Sequence, residues 1–147
     1  PVGRLAQRDC LLLLWATAPM LPQALACMAA WGFTYKTNMV WRKVTASGKV
    51  RMGPGYWVRT MHEQVLLGTI GSPGKVSAFP SIFNGVAGVH SRKPDEFYAL
   101  VEKHTVGARR AELFSRTDRE GWACWGDQKG KLNAREDPAA QTLQASA

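Results

Sequence analysis

Apolar and polar positions alternate along the chain in short blocks, set off from one another by glycine, proline and polar turns. Cys10–Thr17 (Cys-Leu-Leu-Leu-Leu-Trp-Ala-Thr) is a continuous apolar run of strand length. It predicts a strand buried on both faces, as in a parallel sheet covered by helices. Ala18-Pro19-Met20-Leu21-Pro22 interrupts the run, and Pro22 suits the first turn of a helix over Gln23–Trp31 that Gly32 closes. Phe33–Arg42 is β-rich and alternating, which predicts a second strand, and Lys43–Tyr56 is a loop rich in glycine and cations. Glu63–Ile70 predicts a third strand ending at the turn Gly71-Ser72-Pro73-Gly74, and Ser81–Val86 a short fourth. Pro94 opens a helix to about His104, with Asp95 and Glu96 in the first turn, where the helix dipole favours acids. Ala111–Ser115 and Gly121–Gly126 complete the strands. Strand–helix–strand at the start and helix–strand near the end predict an α/β domain over residues 1–128 with a largely parallel sheet. Lys129–Ala147 is polar and aperiodic, which predicts a disordered tail.

The run from Leu11 to Tyr35 carries no formal charge and has the length to span a bilayer. Two prolines, Gln23 and Gly32 within it read instead as strand, turn and helix, so no membrane association is expected. A length of 147 residues, 46% hydrophobic and 20% charged, fits one globular core and excludes fibrous or wholly disordered chains. Cys10, Cys27 and Cys124 are odd in number and widely spaced, which argues for small apolar side chains in a reducing, cytoplasmic setting. Arg4, Arg8 and Asp9 break the start, and no signal peptide is read there.

The formal charge of +8 is concentrated. Residues 10–94 hold nine basic side chains and a single acid, Glu63, whereas the remainder is close to neutral. Such clustering fits a polyanion-facing surface or a solubilising face. Lys36, Arg42, Lys43, Lys49, Arg51 and Arg59 are interleaved with Trp41, Tyr56 and Trp57. Cations at that density can hold phosphates, and aromatic faces can stack on an extruded base. Other chemistries fail on spacing. Gly68–Lys75 imitates a phosphate-binding loop, but Gly68 and Gly74 are one residue too far apart and Val76 stands where Ser or Thr should bind magnesium. His62, His90 and His104 lie too far apart for zinc, and no nucleophile elbow occurs. No metal site is expected.

Two blocks, His90-Ser91-Arg92-Lys93-Pro94-Asp95-Glu96-Phe97-Tyr98 and Glu112-Leu113-Phe114-Ser115-Arg116, the latter continuing to Trp125-Gly126-Asp127-Gln128, carry a family resemblance. With Leu12–Thr17, Trp31–Lys36 and Gly55-Tyr56-Trp57-Val58-Arg59 they follow, in order from about Asp9 to Gln128, the pattern of a known family. The chain resembles the adenine-N6 methyltransferases typified by the catalytic subunit of the mRNA adenosine methyltransferase, whose bacterial and phage members modify DNA. The resemblance implies a Rossmann-like, S-adenosylmethionine-dependent fold with permuted motif order, here N-terminally incomplete. It implies that Lys93, Phe114, Arg116, Asp127 and Gln128 bind the cofactor, the last two through the ribose hydroxyls. Lys93 precedes a predicted helix N-terminus, and Arg116 ends a predicted strand, both suitable places for a charged ligand. For the acceptor strand, Trp41, Lys43, Tyr56, Trp57, Arg59 and Glu63 are expected, with DNA favoured over RNA and a homo- or heterodimer allowed. A lone carboxylate among phosphates is costly unless Glu63 pairs with Arg59, Lys43 or a base amino group.

The family's catalysis depends on an Asp-Pro-Pro-Trp motif that orients the adenine amino group, and this sequence has none. Asp137-Pro138-Ala139-Ala140 lacks the second proline and the aromatic. No catalytic residue is therefore assigned. The start at Pro1 is read as a missing N-terminal portion, and the alternative is a non-catalytic nucleic-acid-binding partner subunit.

Overall fold

A computed structural model of the chain describes residues 2–74, 77–88 and 92–132. The chain forms two compact units, one of residues 1–87 and 94–106 and the other of 88–93 and 107–147. The first is a four-stranded sheet with two helices, built from β1 (Cys10–Ala16), α1 (Leu21–Ala30), β2 (Thr34–Val44), β3 (His62–Ile70), β4 (Ile82–Val86) and α2 (Asp95–His104). The second carries the parallel pair β5 (Arg110–Leu113) and β6 (Trp122–Trp125).

Every predicted strand and helix is present, but the sheet is not largely parallel. Its order is β1-β3-β2-β4, with β3 antiparallel to both neighbours and β4 parallel to β2. Since β1 and β2 both oppose β3, they run the same way, as a strand–helix–strand unit requires. β3 returns from β2 as a long hairpin and inserts between them, so two of the three ladders become antiparallel. A consequence falls on β1. Expected to be buried on both faces, it is an edge strand, half-buried along its length apart from Ala16. The interior positions belong to β3 and β2, and on β3 adjacent Val65 and Leu66 point to opposite faces and are both fully buried.

α1 covers one face. Met28 is fully buried and packs with Ala16, Phe33 and Leu66. Gly68 leaves its space, since a Cβ there would lie 2.7 Å from the Met28 sulfur. Gly32, with φ +84°, closes the helix as the sequence predicts. The opposite face meets α2. Trp15 packs edge-on to Trp41 with ring centroids 5.8 Å apart and lies 4.7 Å from Phe97. Trp41 Nε1–H donates to the Gly85 carbonyl at 2.9 Å, and that glycine's Cα sits against Pro94. The turn after β3 is held from the N-terminal side, where Asp9 Oδ1 accepts from the Ser72 N–H at 2.7 Å.

None of the described helices is long and apolar enough to cross a membrane. Cys124 is buried, whereas Cys10 and Cys27 are only half-buried. Of the predicted tail, only residues 129–132 lie among the described residues. Residues 127–132 form turns, and the Leu132 N–H donates to the Arg116 carbonyl. Residues 133–147, with Asp137-Pro138-Ala139-Ala140, lie outside the described residues, as do Lys75, Val76 and His90-Ser91.

Gly68→Ala places a methyl group against Met28 and the Thr34 carbonyl, and it should destabilise the first unit by about 1–3 kcal/mol. Urea unfolding measures this, and the companion Met28→Leu change should relieve part of the loss if the contact is the cause.

Candidate functional site

The second unit contains all five residues expected at a cofactor. β5 and β6 run in parallel, with Leu113 opposite Trp125, so both carboxyl ends finish at the same edge. Beyond them the two chains stay in contact. Ser115 N–H donates to the Trp125 carbonyl at 2.9 Å, and a Cβ on Gly126 would meet the Ser115 carbonyl oxygen at 2.5 Å. Only glycine permits that approach, and Asp127 and Gln128 follow directly after it. The Ser115 side chain, 1% exposed, lies 2.6 Å from the Thr117 carbonyl and 3.1 Å from the Glu112 carboxylate, pinning the corner internally. Lys129 pairs with Asp118 at 3.0 Å across the turn.

Phe114 stands apart. It has φ +61°, the one non-glycine residue with a positive φ among the described residues, and its ring is 80% exposed. A bulky residue in that region costs about 1–3 kcal/mol, and an exposed ring gains nothing from burial to offset it. Strain of this kind, at the carboxyl end of a parallel strand, is where ligands of α/β sheets bind. Arg116 is half-buried with its Nε shielded from water, and Asp127 and Gln128 are exposed. Lys93, half-buried, falls in this same unit. These five side chains, two cations, an aromatic ring, a carboxylate and an amide, lie within one unit.

The acceptor candidates belong to the first unit and divide into two groups. Lys43 and Glu63 form an ion pair at 2.6 Å, with side chains only 20% and 15% exposed. The Lys43 ammonium also lies 5.0 Å from the centre of the Trp41 ring. The cost of the lone acid in the basic stretch is thus met by Lys43. Trp41 itself is a core residue, 3% exposed, with its Nε1–H bonded to Gly85. The expectation that Trp41 meets the acceptor strand directly does not fit this burial: the ring is packed in the core, with the Lys43 ammonium over it.

The other group sits on the loop between β2 and β3. Tyr56 and Trp57 are 94% and 91% exposed, with Arg59 exposed beside them. Sequence reasoning did not single out Val58, 79% exposed in the same tip. Its signal was the apolar triplet between Gly55 and a cation. Among the described residues, no group of three His, Cys, Asp or Glu is placed to hold a metal ion. His104 instead contacts Ser77 through Nδ1 at 2.8 Å and packs on Phe79.

A parallel strand pair ending in a strained aromatic, and a four-stranded sheet with two helices and an exposed basic aromatic loop, make this a mixed α/β protein. The sequence matches the MT-A70 family over residues 1–128, and the chain belongs to that family. It is 34% identical over 83% of its length to the Arabidopsis thaliana protein named N(6)-adenosine-methyltransferase MT-A70-like. It is 30% identical over 83% of its length to the human N(6)-adenosine-methyltransferase catalytic subunit METTL3, and 30% over 80% to the type II methyltransferase M.MunI of Mycoplasma sp. The chain spans 18% and 22% of the first two relatives and 50% of the third.

Glu63→Ala strands the Lys43 ammonium in a half-buried place and should cost about 1–3 kcal/mol, between the exposed and fully buried limits. Denaturant unfolding with Lys43→Ala and the double variant gives the coupling. A coupling of zero would mean that the pair contributes nothing.

Proposed function

We propose that this chain is the cofactor- and acceptor-binding part of an S-adenosylmethionine-dependent adenine-N6 methyltransferase acting on DNA, with RNA the less favoured acceptor. In this reading residues 1–128 are part of a Rossmann-like methyltransferase domain with permuted motif order, in which the catalytic segment precedes the cofactor segment. The observation that carries the reading is Phe114, an exposed ring on a strained backbone at the carboxyl end of β5, with Arg116 two residues further on and Asp127-Gln128 just past the end of the paired β6. The residues fit the cofactor's parts. Lys93 and Arg116 supply cations for its carboxylate, Phe114 a face for its base, and Asp127 and Gln128 acceptors and donors for its ribose hydroxyls.

When bound, the cofactor supplies an electrophilic methyl group on a sulfonium. The adenine amino nitrogen is a poor nucleophile because its lone pair is delocalised into the ring, so holding it in line with that methyl group is the main demand on the protein. Glu63, held in place by Lys43, offers a carboxylate for an amino group of the acceptor nucleotide. Arg59 and the neighbouring cations hold phosphates. The sequence contains no Asp-Pro-Pro-Trp, so this chain alone is expected to bind both ligands without turnover. That same absence favours one second reading, a non-catalytic nucleic-acid-binding subunit partnered with an active homologue. We take the setting to be cytoplasmic.

Titration with labelled S-adenosylmethionine separates the readings. Phe114→Gly removes the backbone strain and the ring together. Stability should hold or rise by up to about 1 kcal/mol while cofactor affinity falls at least about tenfold. Arg116→Ala and Asp127→Ala should weaken cofactor binding without altering nucleic-acid binding. Failure of the unsubstituted chain to bind cofactor, alone or joined to an Asp-Pro-Pro-Trp segment, favours the non-catalytic subunit. For the basic surface, affinity for single-stranded or melted DNA should fall steeply with salt, and a flat response would exclude phosphate contacts.

A further inference from the structure

Within the loop joining β2 to β3, the tip at Tyr56-Trp57-Val58 has a construction of its own. Three consecutive apolar side chains are 94%, 91% and 79% exposed. Leaving that much apolar surface in water is costly for a monomeric domain, and such patches mark contact surfaces. The tip is also braced. Gly53 N–H donates to the Thr60 carbonyl at 2.7 Å, Thr60 N–H donates to the Pro54 carbonyl at 3.3 Å, and Arg59 Nε–H donates to the Gly53 carbonyl at 3.3 Å. A Cβ on Gly55 would fall 2.0 Å from the Val58 carbonyl oxygen, so glycine alone allows the chain to fold back so tightly there. Nearer the sheet, Val44 bridges Val50, and Arg51 bonds to the Lys43 carbonyl through its N–H and to the Ala87 carbonyl through its guanidinium. The rings are presented on a closed arm rather than a slack loop.

We propose that this tip is a wedge that enters double-stranded DNA between base pairs and opens the step beside the adenine to be modified. The proposal rests on the acceptor reading above and assigns the tip a different task from holding the target base. The choice of occupant follows from charge and ring geometry. Residues 45–61 carry Lys49, Arg51 and Arg59 and no acid, so the arm complements a polyanion. Tyr56 and Trp57 lie edge to face, with ring centroids 5.3 Å apart and planes at 83°. A platform for a single strand offers parallel faces to successive bases. Perpendicular rings cannot do this, because only one can lie parallel to the bases. Trp57 is placed to insert while Tyr56 supports it from the side and Val58 fills the space next to it. Apolar residues that enter base steps unstack them and kink the duplex, at a cost that wider phosphate contact offsets. Extruding an adenine from a duplex carries this same unstacking cost, so a wedge lowers the barrier to presenting it.

The test uses the full chain and duplexes with 2-aminopurine beside an adenine, compared with single strands and duplex RNA. Binding should raise the 2-aminopurine fluorescence severalfold in duplex DNA. Trp57→Ala, at a position too exposed to disturb folding, should abolish that rise and weaken duplex binding roughly tenfold to a hundredfold, with little change for single strands. Trp57→Phe should keep most of both effects. An unchanged signal in Trp57→Ala, equal losses on single strands, a stronger effect on duplex RNA, or a shift in self-association with DNA binding intact would each overturn the wedge. Absence of any duplex binding at low salt would overturn it together with the acceptor reading. Loss of cofactor binding with the fluorescence response intact would instead remove the methyltransferase reading and leave the wedge standing.

Discussion

The place of β3 between β1 and β2 governs the rest of the first unit. A strand with neighbours on both sides and helices on both faces can bury consecutive residues, and Val65 and Leu66 are both fully buried. Gly68 extends the same logic, since the helix α1 can settle onto the sheet only where a side chain is missing under Met28. Because β3 returns antiparallel from β2, the chain between them must form a hairpin connection, and its length is free to vary. That connection is where the exposed aromatics and the cations lie.

On the other face, a single row of contacts links core to surface. Trp41 is anchored by Gly85, Lys43 lies over the Trp41 ring, and Glu63 pairs with Lys43 on the neighbouring strand. The cross-strand register sets Trp41 opposite Glu63, so the charged pair stands one step from the buried indole. A carboxylate that would be repelled by phosphate if exposed is thereby paired and fixed in position. The second unit solves a different problem by similar means. Gly126 allows the ends of β5 and β6 to touch, and the corner so formed holds Phe114 in a conformation that its side chain disfavours.

Most of the fold was legible in the sequence because the elements are local. Apolar runs, the Pro22 helix start, the Gly32 stop and the Pro94-Asp95-Glu96 entry to α2 each lie where chain stiffness and hydrogen bonding place them. Strand pairing was not, because it depends on which distant segments meet. The apolar run Cys10–Ala16 has the composition of an interior strand, yet it occupies an edge. Of the candidate site, Phe114, Arg116, Asp127 and Gln128 were expected from residue types in a recognisable order, and the strained φ of Phe114 could be seen only in the structure. Trp41 was misjudged because a tryptophan among cations reads the same whether its ring faces water or the core.

The sequence by itself determined the element types, the concentration of positive charge around Glu63 and the membership of a family, since these follow from local propensity and residue identity. Only the tertiary structure decided that β3 would part β1 from β2, that Lys43 would take Glu63, and that Trp41 would be buried while Trp57 stands in water. Each of those outcomes is set by long-range packing, where burial and cross-strand register, not the residue's own chemistry, fix which surface a side chain meets.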